Sequence, residues 1–168
     1  RRLLYLHDLL RELVGRDLKS RYKGSALGIL WSLMNPLLQL LVFHFIFRLV
    51  LRLDIPRYSS FAFSAMLAWN WFQTSLLDAS GSVINSRELV KRPGFPVAIL
   101  PVVAVTTHFI YYLLALPILM VFLMMGDSHL TASTLALPAV LVVQFVLTLS
   151  LGYLTAIANV MFRDAHYL

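Results

Sequence analysis

Residues 16–36 read RDLKSRYKGSALGILWSLMNP, a basic cluster that runs without a linker into an apolar segment. Lys and Arg are costly to carry across a bilayer, so Arg16, Lys19, Arg21 and Lys23 mark this end of the apolar run as cytoplasmic. The stretch predicts a helix that lies on the cytoplasmic face of a membrane and turns into a first span. Upstream, Leu3, Leu6, Leu9, Leu10, Leu13 and Val14 share one helical face, opposite Asp8, Arg11 and Glu12. That is the pattern of an interfacial amphipathic helix. Past Gly15 the stripe drifts, with Leu18 and Tyr22 on a different face, which predicts a kink or a change of packing partner there.

The composition extends this reading to the whole chain. Of 168 residues 60% are hydrophobic and only 13% charged, which does not fit a soluble domain. A bilayer core about 30 Å thick needs roughly 20 apolar residues of helix. Stretches of that length lie near 26–50, 59–84, 98–125 and 132–160, and predict four transmembrane helices. The fold class is therefore all-α, a polytopic membrane domain over 1–168 with an interfacial helix over 1–24, because helices satisfy their own backbone in lipid. With the N-terminus inside, four spans return Arg163 and Asp164 to the cytoplasm.

A net charge of +6 would point to nucleic acid in a soluble domain, but here most Lys and Arg fall in segments the topology makes cytoplasmic. Arg48, Arg52 and Arg57, around the first outer loop, run against that bias and are outvoted. No cysteine is present, which excludes a disulfide, a thiolate metal site and a thiol nucleophile. The opening segment is broken by charge throughout and is not built as a signal peptide. The chain lacks an initiating Met, and MFRDAHYL closes a span and stops, so a fragment open at both ends is expected.

Several local features ask for a role. Asn35-Pro36 lies inside the first span, where proline removes a backbone donor, and the outer half of that span carries Phe43, Phe45 and Phe47. The second span opens on Trp69, Trp71 and Phe72 and ends in DASGSVINS, whose Ala79, Gly81 and Ser82 permit close helix approach. RELVKRPGFPVAILP follows, a short amphiphilic segment that Pro93-Gly94 breaks before the chain re-enters the membrane. Pro101 and Pro117 fall in the third span and Pro138 at the outer start of the fourth.

Asp78 is a carboxylate well inside a span, by default a functional candidate such as a proton relay. The plainer reading has it facing a wet cavity or hydrogen-bonded to Thr106 or Thr107, and has His108 and His44 simply packed. No phosphate-binding loop and no paired-His metal motif occurs, so the sequence predicts neither a nucleotide site nor a metal site in this chain. Energy for uphill transport would come from another chain or from an ion gradient.

Three stretches carry a resemblance to a known family: RDLKSRYKGSALGILWSLMNPLL, ELVKRPGFPVAILP and MFRDAHYL. Together they resemble the permease subunits of ABC exporters in the polysaccharide and polyol-phosphate class, of the O-antigen, capsule or teichoic acid type. The family pattern continues after the last stretch with two further spans. The resemblance implies a six-span subunit of the bacterial inner membrane that forms a homodimer and pairs with two cytoplasmic ATPase subunits. That complex would export a lipid-linked glycan, with ATP and Mg bound by the ATPase and no cofactor in this chain.

It also implies residue roles. Arg87, Glu88, Leu89, Val90, Lys91, Arg92, Phe95 and Pro96 would form the element that couples to the ATPase, with Arg163 and Asp164 beside it. Arg16, Lys19, Arg21 and Lys23 lie where a lipid pyrophosphate headgroup would enter, and simple topology anchors would look the same. Trp31, Phe43, Phe47 and Trp69 would be stacking positions along a glycan conduit, although interfacial aromatic belts have the same composition. The alternatives are a permease for a small lipid or drug, a membrane scaffold without transport activity, and, weakest, an acyl-handling enzyme. That enzyme would rest on Asp78 and His108, whose depths are expected to differ by several Å, short of a catalytic pair.

Overall fold

The structure, a computed structural model, describes residues 2–22, 34, 37–39, 41–42, 45–46, 58–125 and 136–161. Among these the regular elements are the helices α1 (Arg2–Tyr22), α2 (Tyr58–Asn85), α3 (Arg87–Val90), α4 (Ile99–Met125) and α5 (Leu137–Met161), with no strand. Two of them, α4 and α5, are long and apolar enough to cross a membrane. At 28 residues, α2 has the length, about 42 Å at 1.5 Å per residue. It falls short in apolarity because Asn70, Gln73, Thr74, Ser75 and Asp78 interrupt its apolar run. Two of the four expected spans are thus supported, a third is a long helix of mixed character, and the one over 26–50 lies largely outside the described residues.

Proline positions follow the backbone accounting. Pro101 and Pro138 sit in the first turns of α4 and α5, where the missing N–H would have no helical acceptor in any case. Pro117 lies inside α4, where one backbone bond is lost and α4 continues past it. The expected break at Pro93-Gly94 is present: Gly94 adopts φ +79°, a left-handed conformation that costs glycine nothing. The Phe95 amide donates to the Arg92 carbonyl (3.2 Å) across that turn, and the Ile99 amide to Pro96 (3.0 Å) opens α4.

Paired positions give the topology. Trp71 stacks on Tyr112 and Asp78 meets His108, so α2 and α4 run antiparallel, as the short segment joining them requires. The Gln144 amide donates to the Ala68 carbonyl (3.1 Å) and the Asn159 amide to the Ser80 carbonyl (2.9 Å), which sets α5 parallel to α2. The Tyr153 hydroxyl closes the third side by donating to the Ala98 carbonyl at 2.7 Å. In an apolar surrounding such side-chain bonds replace the hydrophobic drive that water would supply.

One core cluster joins Phe63, Leu67 and Trp71 of α2 to Tyr112, Ala115 and Leu119 of α4, with Phe145 of α5 packed against it. Nearer the α2–α4 turn the three helices close on small residues. A Cβ on Gly152 would lie 3.1 Å from Ala79 Cβ and 3.6 Å from Val105 Cγ2. Ala79, one of the small residues read as permitting close helix approach, is fully buried in this contact between helices of the chain.

Helix α1 packs against α4. Leu13 and Val14 join Ile99, Leu100 and Val103 in a separate cluster, with Leu6, Leu9, Leu10 and Leu18 alongside. The amphipathic reading therefore holds for the packed face. The expected change at Gly15 is not seen: α1 is a single helix from Arg2 to Tyr22, and Leu18 packs with the same cluster as Leu13. At 100° per residue Leu18 is displaced only about 40° from Val14, so a broad apolar face keeps both.

Candidate functional site

The functional features gather where α1, the α2–α4 turn and the start of α4 meet. The turn itself has two sides. Leu89, Val90 and Phe95 are half-buried against the α1–α4 cluster, while Arg87, Glu88, Lys91 and Arg92 are exposed. An apolar inner side fixes the single turn of α3 to the bundle and leaves its charges as an outer rim. Pro96 is half-buried and its carbonyl starts α4. The sequence grouped these residues as one coupling element, and the structure divides them into an anchor and a charged rim.

Above the turn, the Nε2–H of His108 donates to Oδ2 of Asp78 at 2.7 Å, with side-chain exposures of 10% and 39%. Of the alternatives read for Asp78, the cavity-facing one holds, and the bond to Thr107 does not: Thr107 is fully buried and, among the described residues, its hydroxyl has no hydrogen-bond partner. The depths of Asp78 and His108 match to within side-chain reach. Asp78 lies seven residues before the end of α2 and His108 nine after the start of α4, a difference of about 3 Å at 1.5 Å per residue. Counting outward from the Pro93-Gly94 turn was the signal that could have found the pair.

Removing one partner of this pair tests its worth. Asp78→Ala is expected to lower stability by about 1–2 kcal/mol, since a hydrogen bond to a charged group contributes about 1.5–3 kcal/mol and the partly exposed Asp78 reduces that. Thermal unfolding midpoints of Asp78→Ala, His108→Ala and the double variant in detergent provide the measurement. Strictly additive losses would show that the two side chains do not act as a unit.

Asp78 also lines a cavity of about 340 Å³ between α1, α2 and α4. Arg16, Asp17 and Ser20 face it from α1, and Ser82 and Asn85 from α2. Leu13, Leu100 and Val103 close its apolar side. Among the described residues, one guanidinium shares the space with two carboxylates and several neutral hydrogen-bonding groups.

The remaining predicted positions are spread more widely. Lys19 is exposed on α1, Arg21 lies on α1 with its side chain outside the described residues, and Lys23, Arg163 and Asp164 are outside them altogether. Trp31, Phe43 and Phe47 are likewise outside. Trp69 is exposed, its ring 5.8 Å from that of Phe72. Trp71, which shares its aromatic run, is instead buried between Phe109 and Tyr112 at 5.0 and 5.1 Å, so the run divides between surface and core. Among the described residues no three His, Asp or Glu side chains gather as metal ligands would.

No family model matches the chain. Individual relatives do. Over all 168 residues it is 37% identical to the O-antigen export system permease protein RfbA of Myxococcus xanthus, covering 65% of that protein. Over 161 residues, 95% of the chain, it is 34% identical to a protein of the same name from Klebsiella pneumoniae, covering 62% of it. The chain thus spans a little under two thirds of the length of these curated relatives, which are named as permease proteins and not as enzymes. At this identity along its whole length, the chain is a homologue of the permease proteins of O-antigen export systems, and the resemblance carried by its three sequence stretches stands.

Proposed function

We propose that this chain forms the greater part of the permease subunit of an ATP-driven exporter that moves a lipid-linked polysaccharide across the bacterial inner membrane. The observation that carries the reading is identity of 37% sustained over the entire chain to an O-antigen export permease. In this reading the chain contributes four spans with its N-terminus in the cytoplasm, works as a homodimer, and draws its energy from a separate ATPase subunit that binds ATP and Mg.

The outer rim of Arg87, Glu88, Lys91 and Arg92 is the contact offered to the ATPase, and Leu89, Val90 and Phe95 carry its displacement inward. The α2 and α4 stems are tied at Asp78–His108, so a push on the turn reaches both helices together. The basic run Arg16, Lys19, Arg21 and Lys23 draws an anionic lipid headgroup to the cytoplasmic surface by charge-assisted contacts. Trp69, with Trp31, Phe43 and Phe47, supplies flat faces for sugar rings along the path.

An affinity pulldown of the full-length protein from native membranes in mild detergent, followed by mass spectrometry, tests this. A stoichiometric partner carrying a phosphate-binding loop is expected, with ATP hydrolysis stimulated by lipid-linked glycan. A well-folded protein that brings down no such ATPase would overturn the reading in favour of a scaffold or a gradient-driven carrier.

A further inference from the structure

The turn that carries the charged rim is packed on α1 and α4, and among the described residues no α5 side chain belongs to that cluster. The apolar packing of α5 lies further from the turn, where Phe145 and Leu149 meet α2 and α4. On its other side Val143, Leu147, Leu154 and Ile157 are exposed. Two side-chain bonds nevertheless run from α5 to the two limbs of the turn. The buried Asn159 amide donates to the carbonyl of Ser80, on the α2 limb, at 2.9 Å. The Tyr153 hydroxyl donates to the carbonyl of Ala98, the last residue before α4, at 2.7 Å. A carbonyl oxygen has two lone pairs, so each accepts this bond without giving up one along the backbone.

Ala98 is joined to the rim by a chain of short backbone bonds. The Arg92 amide donates to Leu89, the Phe95 amide to Arg92 and the Ile99 amide to Pro96. Pro93 and Pro96 fix φ in the same stretch. A segment bonded and braced in this way moves as one piece, so a displacement of Lys91 and Arg92 arrives at Ala98 and, through it, at Tyr153. Along α5, Tyr153 and Asn159 are about 9 Å apart at 1.5 Å per residue, and two attachments at that separation fix the tilt of the helix as well as its position. We propose that Tyr153 and Asn159 are positioning residues that make α5 move with the rim, so that the stroke of the ATPase displaces α5 together with α2 and α4. This rests on the exporter reading and extends it to a helix that the Asp78–His108 tie leaves out.

Inside-out membrane vesicles that hold the full-length permease, its ATPase subunit and the cells' own lipid-linked polysaccharide provide the test. ATP hydrolysed per glycan delivered to the lumen is measured, with vesicles lacking the permease subtracted. Tyr153→Phe keeps the ring and removes the hydroxyl, and is expected to raise ATP per glycan at least threefold. Asn159→Ala is expected to do the same from the other limb. Lost folding gives a different result, because fewer working complexes lower hydrolysis and delivery together and leave the ratio where it was. Ser150→Ala is the control: its hydroxyl bonds to the Val146 carbonyl at 2.8 Å within α5, and the wild-type ratio is expected. An unchanged ratio in either Tyr153→Phe or Asn159→Ala, in vesicles whose wild type delivers glycan, would overturn the inference and leave the exporter reading in place. An equal rise in Ser150→Ala would do so too. Wild-type vesicles that deliver no glycan on addition of ATP would overturn the exporter reading itself, and this inference with it.

Discussion

Charge reversal at the outer rim, Lys91→Glu with Arg92→Glu, is expected to cut glycan export by at least tenfold while ATP hydrolysis by the partner subunit continues. Both side chains are exposed in the turn that follows α3, and neither is part of the α1–α4 cluster, so the bundle has no reason to unfold. A partner surface selected to meet two cations would instead meet two anions. Losing close charge pairs at an interface costs about 2–5 kcal/mol, and reversal adds repulsion to that loss. Each 1.4 kcal/mol is a factor of ten in affinity, so the expected weakening is large. Export assayed in cells, ATPase activity of the purified complex and membrane abundance of the variant must be measured together. Undiminished export at normal abundance would show that this rim is not where the ATPase acts.

The largest stability effect is expected at Gly152. Alanine there places a methyl 3.1 Å from Ala79 Cβ, tight enough to shift a helix by a few tenths of an ångström. Against that, Gly→Ala inside a helix gains about 1 kcal/mol of propensity, so the net change for alanine is small. Leucine is a different case. Its further carbons have no space between Ala79 and Val105, and overpacking costs about 1–3 kcal/mol or more. Separating α5 from α2 would also strain the bonds from Gln144 to Ala68 and from Asn159 to Ser80. Gly152→Leu is therefore expected to lose about 3 kcal/mol or more, seen as a collapse of the monodisperse peak in size-exclusion chromatography and a lowered thermal midpoint. An unchanged midpoint would mean that α5 does not close on α2 at Gly152.

Both expectations depend on features that differ in how far the sequence reveals them. The helical class, the amphipathic α1, the break at Pro93-Gly94 and the apolar α4 and α5 follow from composition and from period, because each is a local property of a window of residues. The kinship with export permeases was legible for the same reason: its three stretches are contiguous in the chain. The charged rim was legible as a group, though not its division into Leu89, Val90 and Phe95 facing α1 and α4 and four charges facing outward. A four-residue helix is too short for a hydrophobic period to show which side is covered.

Tertiary structure alone decided three things. It brought Asp78 and His108, 30 positions apart, to 2.7 Å, since that distance depends on the register in which two antiparallel helices cross. It gave Ala79 to a contact with Gly152 of the same chain, where small residues in sequence say only that something approaches closely. It also brought Asp78 of α2 to the cavity that Arg16 and Asp17 of α1 line. Sequence determined which segments form helices, because that depends on solvation and backbone satisfaction residue by residue. Which side chains meet depends on helix rotation and offset, and these are set only when the packed surfaces find their closest fit.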